Sequence, residues 1–336
     1  MRADDPVRIR DVAVTRLGLG TAPLGGLFDA VSSVAAHATI EEAHRAGIAF
    51  FDTAPLYGYG VAERRLGEVL VRIDRGAYAV ETKVGRLLRT GADPAEDPNV
   101  DAPLFGGEPL YKDTGEAVPV FDFSYDAAMR SIEESLDRLG LDRVDIVHVH
   151  DPDDYVDAAI EGACRAMCAL REQGVVGAVG IATDFTETAV RVVREADVDC
   201  ALIAGRTTLL DHGAVTTLLP LAYERGVDVI AASVFNSGIL ADPWRNLAYA
   251  YAPASPEHVQ RARRMSEVCA GHDVPLAAAA LQFSFRHPAV VSVLVGCRTP
   301  EEVRANVDWL SLSIPEELWS ALDRECGVPQ RLVPSA

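Results

Sequence analysis

The sequence predicts an α/β fold of the (β/α)8 barrel type, and three observations carry the prediction. Short β-branched runs alternate with longer segments of helical period from about residue 14 onward. Eight such runs can be counted. The rival architecture, a doubly wound sheet, should show GxGxxG between its first strand and helix, but Gly18-Leu19-Gly20-Thr21-Ala22-Pro23 lacks the third glycine. At 336 residues, 49% hydrophobic and 24% charged, the chain can bury one large core, so a single domain over 1–336 is expected.

A small N-terminal β-hairpin from VRIRDVAV opens the chain. The eight barrel strands are then read as VTRLGLG (14–20), IAFFDT (48–53), AYAVETK (77–83), VDIVHVH (144–150), VVGAVGIA (175–182), CALIAG (200–205), VDVIAAS (227–233) and VVSVLVG (290–296). Helical segments between them include SVAAHATIEEAHRAG, DAAMRSIEESLDRLG, DAAIEGACRAMCALREQG and TPEEVRANVDWL. Four glycines, Gly47, Gly140, Gly174 and Gly226, stand where helices should stop, and Thr299-Pro300-Glu301-Glu302 has the form of a helix start. The rhythm breaks once, between Gly85 and Ser124, where Gly, Pro and Asp accumulate. A long loop inserted after the third strand is expected there, on the face where barrels carry their chemistry.

A formal net charge of −19 repels phosphate backbones and anionic lipid, so no nucleic-acid or membrane partner is expected and a small molecule is the default ligand. The opening MRADDPVRIRD has no apolar core and no apolar run is long enough to span a bilayer, from which a cytoplasmic location is expected. Nothing in the chain fixes an oligomeric state, and a homo-oligomer stays open. Six scattered cysteines form no CxxC pair. Cys164 and Cys168 lie one helical turn apart and read as buried thiols.

Barrel chemistry sits at strand C-termini, so those positions identify the candidate site. The second strand ends in FFDTAPLYGYG, offering Asp52 and Tyr57; the third ends in ETKVG, offering Lys83; the fourth ends in HVHDPDD, offering His150. Lys83 stands out because only it and Lys112 are lysine among 31 Lys and Arg residues. A compact ammonium at the end of an apolar strand suits a tight site that a guanidinium would overfill. Near a phenol, Lys83 should lower its pKa, with Asp52 holding the amine, so that Tyr57 exchanges a proton near neutral pH.

DTAPLYGYGVAERRLGEVL, ETKVG and VDIVHVHDPDD together resemble the signature segments of the aldo-keto reductase superfamily. GRLLRTG, IAGRTTLLDHGAVTTLLPLA and FNSGILADP are similar to its subgroup of L-fucose dehydrogenase, D-threo-aldose 1-dehydrogenase and pyridoxal 4-dehydrogenase. The resemblance implies a TIM barrel binding a nicotinamide cofactor, with a catalytic tetrad of Tyr57, Lys83, Asp52 and His150. Tyr57 is then the acid/base and His150 orients the substrate oxygen.

By the same resemblance the cofactor contacts fall on Gly20, Thr21 and Ala22, on Ser233, Phe235, Asn236, Ser237, Gly238 and Leu240, and on Gly296, Arg298, Thr299, Glu302 and Asn306. Where many relatives place Ser-Asn after strand five, this chain has Ala182-Thr183-Asp184. Where they have Gln on strand six and a nicotinamide-stacking Tyr, it has Ala204 and Ala232. Thr183, Asp184 and Phe235 are the expected stand-ins. Thr207 replaces an aromatic expected at the substrate mouth. Glu302 would repel a 2′-phosphate and could accept a ribose hydroxyl, which favours NAD over NADP. Oxidation of an aldose at C1 to the lactone is the implied reaction; NADPH-dependent reduction of an aldehyde or ketone is the alternative.

A metal-dependent hydrolase using His148 and His150 is a more remote alternative, since HxH can aim two imidazoles at one ion. Such barrels carry the pair on the first strand and further ligands later, a pattern missing here. No metal is expected. His148 lies about 6 to 7 Å below His150 along the strand and is expected to be a hydrogen-bonded core residue.

Overall fold

Strands of a closed parallel barrel bury both faces, one in the lumen and one under the helices, which is why these runs are apolar nearly throughout. The computed structural model describes residues 1–112, 114–330 and 332. In chain order its strands begin with the hairpin β1 (Pro6–Ile9) and β2 (Val12–Thr15), then β3 (Leu17–Gly20), β4 (Phe50–Asp52) and β5 (Ala79–Val84). Next come β6 (Arg86–Thr90), β7 (Leu104–Phe105), β8 (Glu108–Pro109), β9 (Ala117–Phe121) and β10 (Ile146–His150). They end with β11 (Ala178–Thr183), β12 (Cys200–Ala204), β13 (Asp228–Ala232), β14 (Ala248–Tyr249), β15 (Ala252–Pro253) and β16 (Val290–Gly296). Strands β3, β4, β5, β10, β11, β12, β13 and β16 close in that order into an eight-stranded parallel barrel.

The expected strand over 14–20 divides in two. Val12–Thr15 pairs back on β1, and only Leu17–Gly20 enters the barrel, between β16 and β4. The division follows from burial: Ile9 and Val14 pack with Phe50, Ile146, Ile230 and Leu294, so the hairpin plugs one end of the lumen. Each such side chain withdrawn from water contributes about 1.5–3 kcal/mol.

The four stop glycines, Gly47, Gly140, Gly174 and Gly226, all have positive φ, between 64° and 88°. Thr299 caps the helix Pro300–Ser311, accepting a hydrogen bond from Glu302 N. The helix expected over 157–174 is interrupted by a π turn at Ala159–Cys164. There Ala163 N donates to Phe123 O at 2.8 Å, outside the helix, and a Cβ on Gly162 would come within 2.3 Å of that same oxygen. The external bond and the close approach loosen the helical ladder by one residue.

The segment after the third barrel strand is more ordered than the loop expected over 85–124. β6 and β9 pair antiparallel from Arg86↔Phe121 to Thr90↔Ala117, and β7 pairs with β8. Asp113 lies outside the described residues. Among the described residues no helix is long and apolar enough to cross a membrane.

Candidate active site

The ends of β4, β5 and β10 bring Asp52, Lys83 and His150 to one rim, and the turn after β4 adds Tyr57. That turn is possible because Gly58 has φ 61° and packs on Gly25, where a Cβ would sit 2.2 Å from the Gly25 carbonyl oxygen. Lys83 forms a buried ion pair with Asp52, and its Nζ donates to Thr53 O at 3.0 Å. The same Nζ lies 4.8 Å from the centre of the Tyr57 ring, and the Tyr57 and His150 rings meet edge to face at 5.9 Å. All four residues singled out from the sequence therefore face one another.

The electrostatics depart from expectation at the phenol. Burial, followed by the charge of Asp52, pushes Tyr57 well above its ordinary value of 10. Lys83 is tied up by Asp52, so its field does not lower the phenol as expected, and Tyr57 is held protonated at neutral pH. Burial, helped by Arg86 and Lys83, pushes His150 well below 6.5, so its imidazole is neutral. Burial raises Asp52 to about 7 against the pull of Lys83.

Beneath this rim is a second polar layer. Glu81 is register partner of Asp52, and His148 is register partner of Lys83. Both are fully buried, and His148 Nε2 lies 3.0 Å from Glu81 Oε2. Burial drives this pair toward its uncharged forms, lowering His148 to about 3 and raising Glu81 to about 7. His148 is thus the hydrogen-bonded core residue expected. Among the described residues no group of three or more His, Cys, Asp or Glu side chains is placed to hold a metal.

A cavity of about 1480 Å³ opens from the rim. Of the expected cofactor positions, Gly20, Ala22, Thr183, Asp184, Ser233, Phe235, Ser237, Gly238, Gly296, Arg298, Glu302 and Asn306 line it. Four do not. Thr21 is buried against Asp52 O, which accepts from its hydroxyl at 2.8 Å. Asn236 donates to Gly205 O, Leu240 is wholly in the core, and Thr299 serves as the helix cap. Thr207, expected at the substrate mouth, is instead buried against Ser284, their hydroxyls 3.3 Å apart. It sits too deep to meet a ligand in the cavity.

The structure also supplies residues the sequence reading passed over. Arg86, at the first position of β6, donates to Asp101 Oδ2 at 2.6 Å, to His150 O at 3.1 Å and to Asp151 Oδ2 at 3.3 Å. Tyr111 and Tyr251, from separate loops, complete the walls. No spacing in the chain announces these partners, because 15 and 65 residues separate Arg86 from Asp101 and Asp151.

On the cavity wall away from Tyr57, Arg298 Nε and Asn306 Oδ1 are buried without a hydrogen-bond partner, while Ser233, Val234, Phe235, Ser237 and Gly238 bring in the hydroxyls of Ser233 and Ser237. Ser233, Asn236 and Ser237 all have positive φ, and the segment folds into tight turns in which Asn236 N donates to Ser233 O at 2.8 Å and Gly238 N to Phe235 O at 3.0 Å. Unpartnered polar atoms on a partly apolar wall fit a dinucleotide.

The model of the aldo/keto reductase family matches residues 16–325. The chain is 42% identical over 330 residues to pyridoxal 4-dehydrogenase of Microbacterium luteolum, covering 94% of each chain. It is 40% identical over 326 residues to D-threo-aldose 1-dehydrogenase of a Pseudomonas species, covering 95% of this chain and 96% of that one. The glycerol dehydrogenase of Gluconobacter oxydans has the same fold, with a TM-score of 0.74, 21% identity and 99% of both chains covered. The chain belongs to the aldo/keto reductase family and is an NAD(P)-dependent oxidoreductase.

Proposed function

We propose that the protein oxidises the hemiacetal carbon of a free aldose to the lactone, with NAD as hydride acceptor and with Tyr57, Lys83, Asp52 and His150 as its catalytic residues. The observation that carries the reading is a chemical feature common to the substrates named in its relatives. Aldoses and pyridoxal both hold a carbonyl that closes on a hydroxyl of the same molecule. A bound nicotinamide cofactor would supply the hydride acceptor or donor. Tyr57 moves the proton at the substrate oxygen, and Lys83, held by Asp52, packs its ammonium over the face of the Tyr57 ring. The neutral imidazole of His150 hydrogen-bonds the same oxygen and orients it. Ser233, Ser237 and Gly238 would hold the pyrophosphate, and Arg298, Glu302 and Asn306 the adenosine end.

The preference for NAD rests on which way nearby cations are turned. Arg298 donates from Nη2 to Leu27 O, and Arg304 pairs with Glu42 and Glu301. Glu301 and Glu302 line the cavity there and would oppose a 2′-phosphate. One observation favours the reverse direction: a phenol kept protonated is ready to donate to a carbonyl, the step a reductase needs. Absorbance at 340 nm, with NAD and NADP against aldoses, pyridoxal and simple aldehydes, and with NADH and NADPH against the carbonyls, tests both directions. Tyr57→Phe should reduce kcat about 10²–10⁴-fold while cofactor still quenches tryptophan fluorescence; full turnover in this variant would overturn Tyr57 as the acid/base.

A further inference from the structure

One carboxylate in the cavity is placed where the reaction as proposed has no use for it. Asp151 follows His150 directly, has φ 42°, and lines the cavity beside the imidazole. A non-glycine residue in the left-handed region is strained, so a competing demand sets its direction. Its amide is fixed by donation to Ala182 O at 2.8 Å. Its Oδ2 accepts from Arg86 at 3.3 Å and lies 3.3 Å from His150 Nε2. Arg86 is itself buried and anchored to Asp101 and to the His150 carbonyl, so the clamp is rigid. Yet a third of the Asp151 side chain stays exposed to the cavity, leaving acceptor capacity toward a ligand.

We infer that Asp151 determines specificity by accepting a hydrogen bond from a hydroxyl on the carbon next to the reacting carbon. The inference rests on the proposed role of His150 at the reacting oxygen. If His150 Nε2 meets that oxygen, the second recognition atom lies 3.3 Å away. Two gauche oxygens on adjacent carbons are roughly 3 Å apart, about the spacing of a hydrogen-bonded pair. Imidazole and carboxylate therefore present a donor and an acceptor at the spacing of a vicinal pair. The surroundings select a neutral ligand. Asp101, Asp153 and Asp184 also line the cavity, and its cations near the rim, Lys83 and Arg86, are both paired with carboxylates. A phosphate or carboxylate at that carbon would meet repulsion, whereas a hydroxyl meets an acceptor. The substrate class is thus an uncharged 2-hydroxy carbonyl or its hemiacetal. Pyridoxal, with no hydroxyl on the adjacent atom, lies outside it.

The test is a ratio of kcat/KM values. L-galactose, D-galactose and D-ribose are each compared with the 2-deoxy analogue, and 2-hydroxypropanal is compared with propanal in the reducing direction. A hydrogen bond to a charged group is worth about 1.5–3 kcal/mol, so the wild-type protein should prefer the hydroxylated member by roughly 10- to 150-fold. Asp151→Asn, and Asp151→Glu as a second variant that keeps the charge but moves it, should each shrink that ratio about tenfold or more. A wild-type ratio near one overturns the inference. So does an unchanged ratio in both variants whatever their absolute loss, since Asp151 would then act only through His150. If no aldose is oxidised but 2-hydroxypropanal is still preferred to propanal, the aldose reading falls and the role of Asp151 stands.

Discussion

His148 and His150 are the same residue type, two positions apart on one strand, yet they live in different chemistry. His150 opens on a cavity beside Tyr57 and Asp151, whereas His148 is sealed in the lumen against Glu81. Burial makes both imidazoles neutral. What separates them is access: the upper ring can trade its partner for a ligand, and the lower ring cannot. A barrel lumen thus sets one polar layer open to the cavity on another that is closed to it.

Breaking the upper layer should have the larger effect. Lys83→Met removes the buried partner of Asp52, so kcat should fall by about 10²–10⁴ and stability by about 3–5 kcal/mol, read by 340 nm kinetics and urea unfolding. A variant with wild-type stability would show that the pair is not the buried ion pair described. Disturbing the lower layer should be milder and dependent on pH. Glu81 has a folded-state pKa of about 7, above its ordinary 4.5, so the folded protein binds the extra proton. Its stabilisation is present below about 4.5 and is lost as pH rises through 7. Glu81→Gln cannot lose it, so relative to wild type the variant should gain about 1 kcal/mol or more in urea unfolding between pH 5 and pH 8. Equal differences at both pH values would argue against a proton on Glu81. The smallest effect is expected outside both layers: Glu302→Lys should raise the NADP-to-NAD ratio of kcat/KM about threefold. An unmoved ratio would remove Glu302 from cofactor choice.

The barrel and the upper layer were legible because both obey local rules. Strand runs are apolar with stops at glycine, and Asp52, Lys83 and His150 stand at strand ends, where barrels collect their chemistry. The lower layer was half legible. Counting by two from Lys83 puts Glu81 on the same inward face, but an acid inside an apolar run reads as an outward-facing one until its partner His148 is known. Arg86, Asp101 and Asp151 were opaque because their contact joins a strand, an insertion and a loop far apart in the chain. The phenol was misjudged for a related reason. Asp52 was weighed only as the group that holds the Lys83 amine, whereas its charge also acts on the phenol, against that of Lys83, and burial dominates.

Arg86 has a further consequence for how such enzymes diversify. The inserted segment between β6 and β9 is tied to the barrel through a guanidinium that grips Asp101 within the insertion and the His150 carbonyl outside it. Stacking on Phe121 adds a third attachment. A roof exchanged between relatives would transplant as a working part only with a carboxylate at the position of Asp101 and an aromatic ring at that of Phe121. Without them the graft would leave the buried Arg86 paired with Asp151 alone, beside the His150 imidazole.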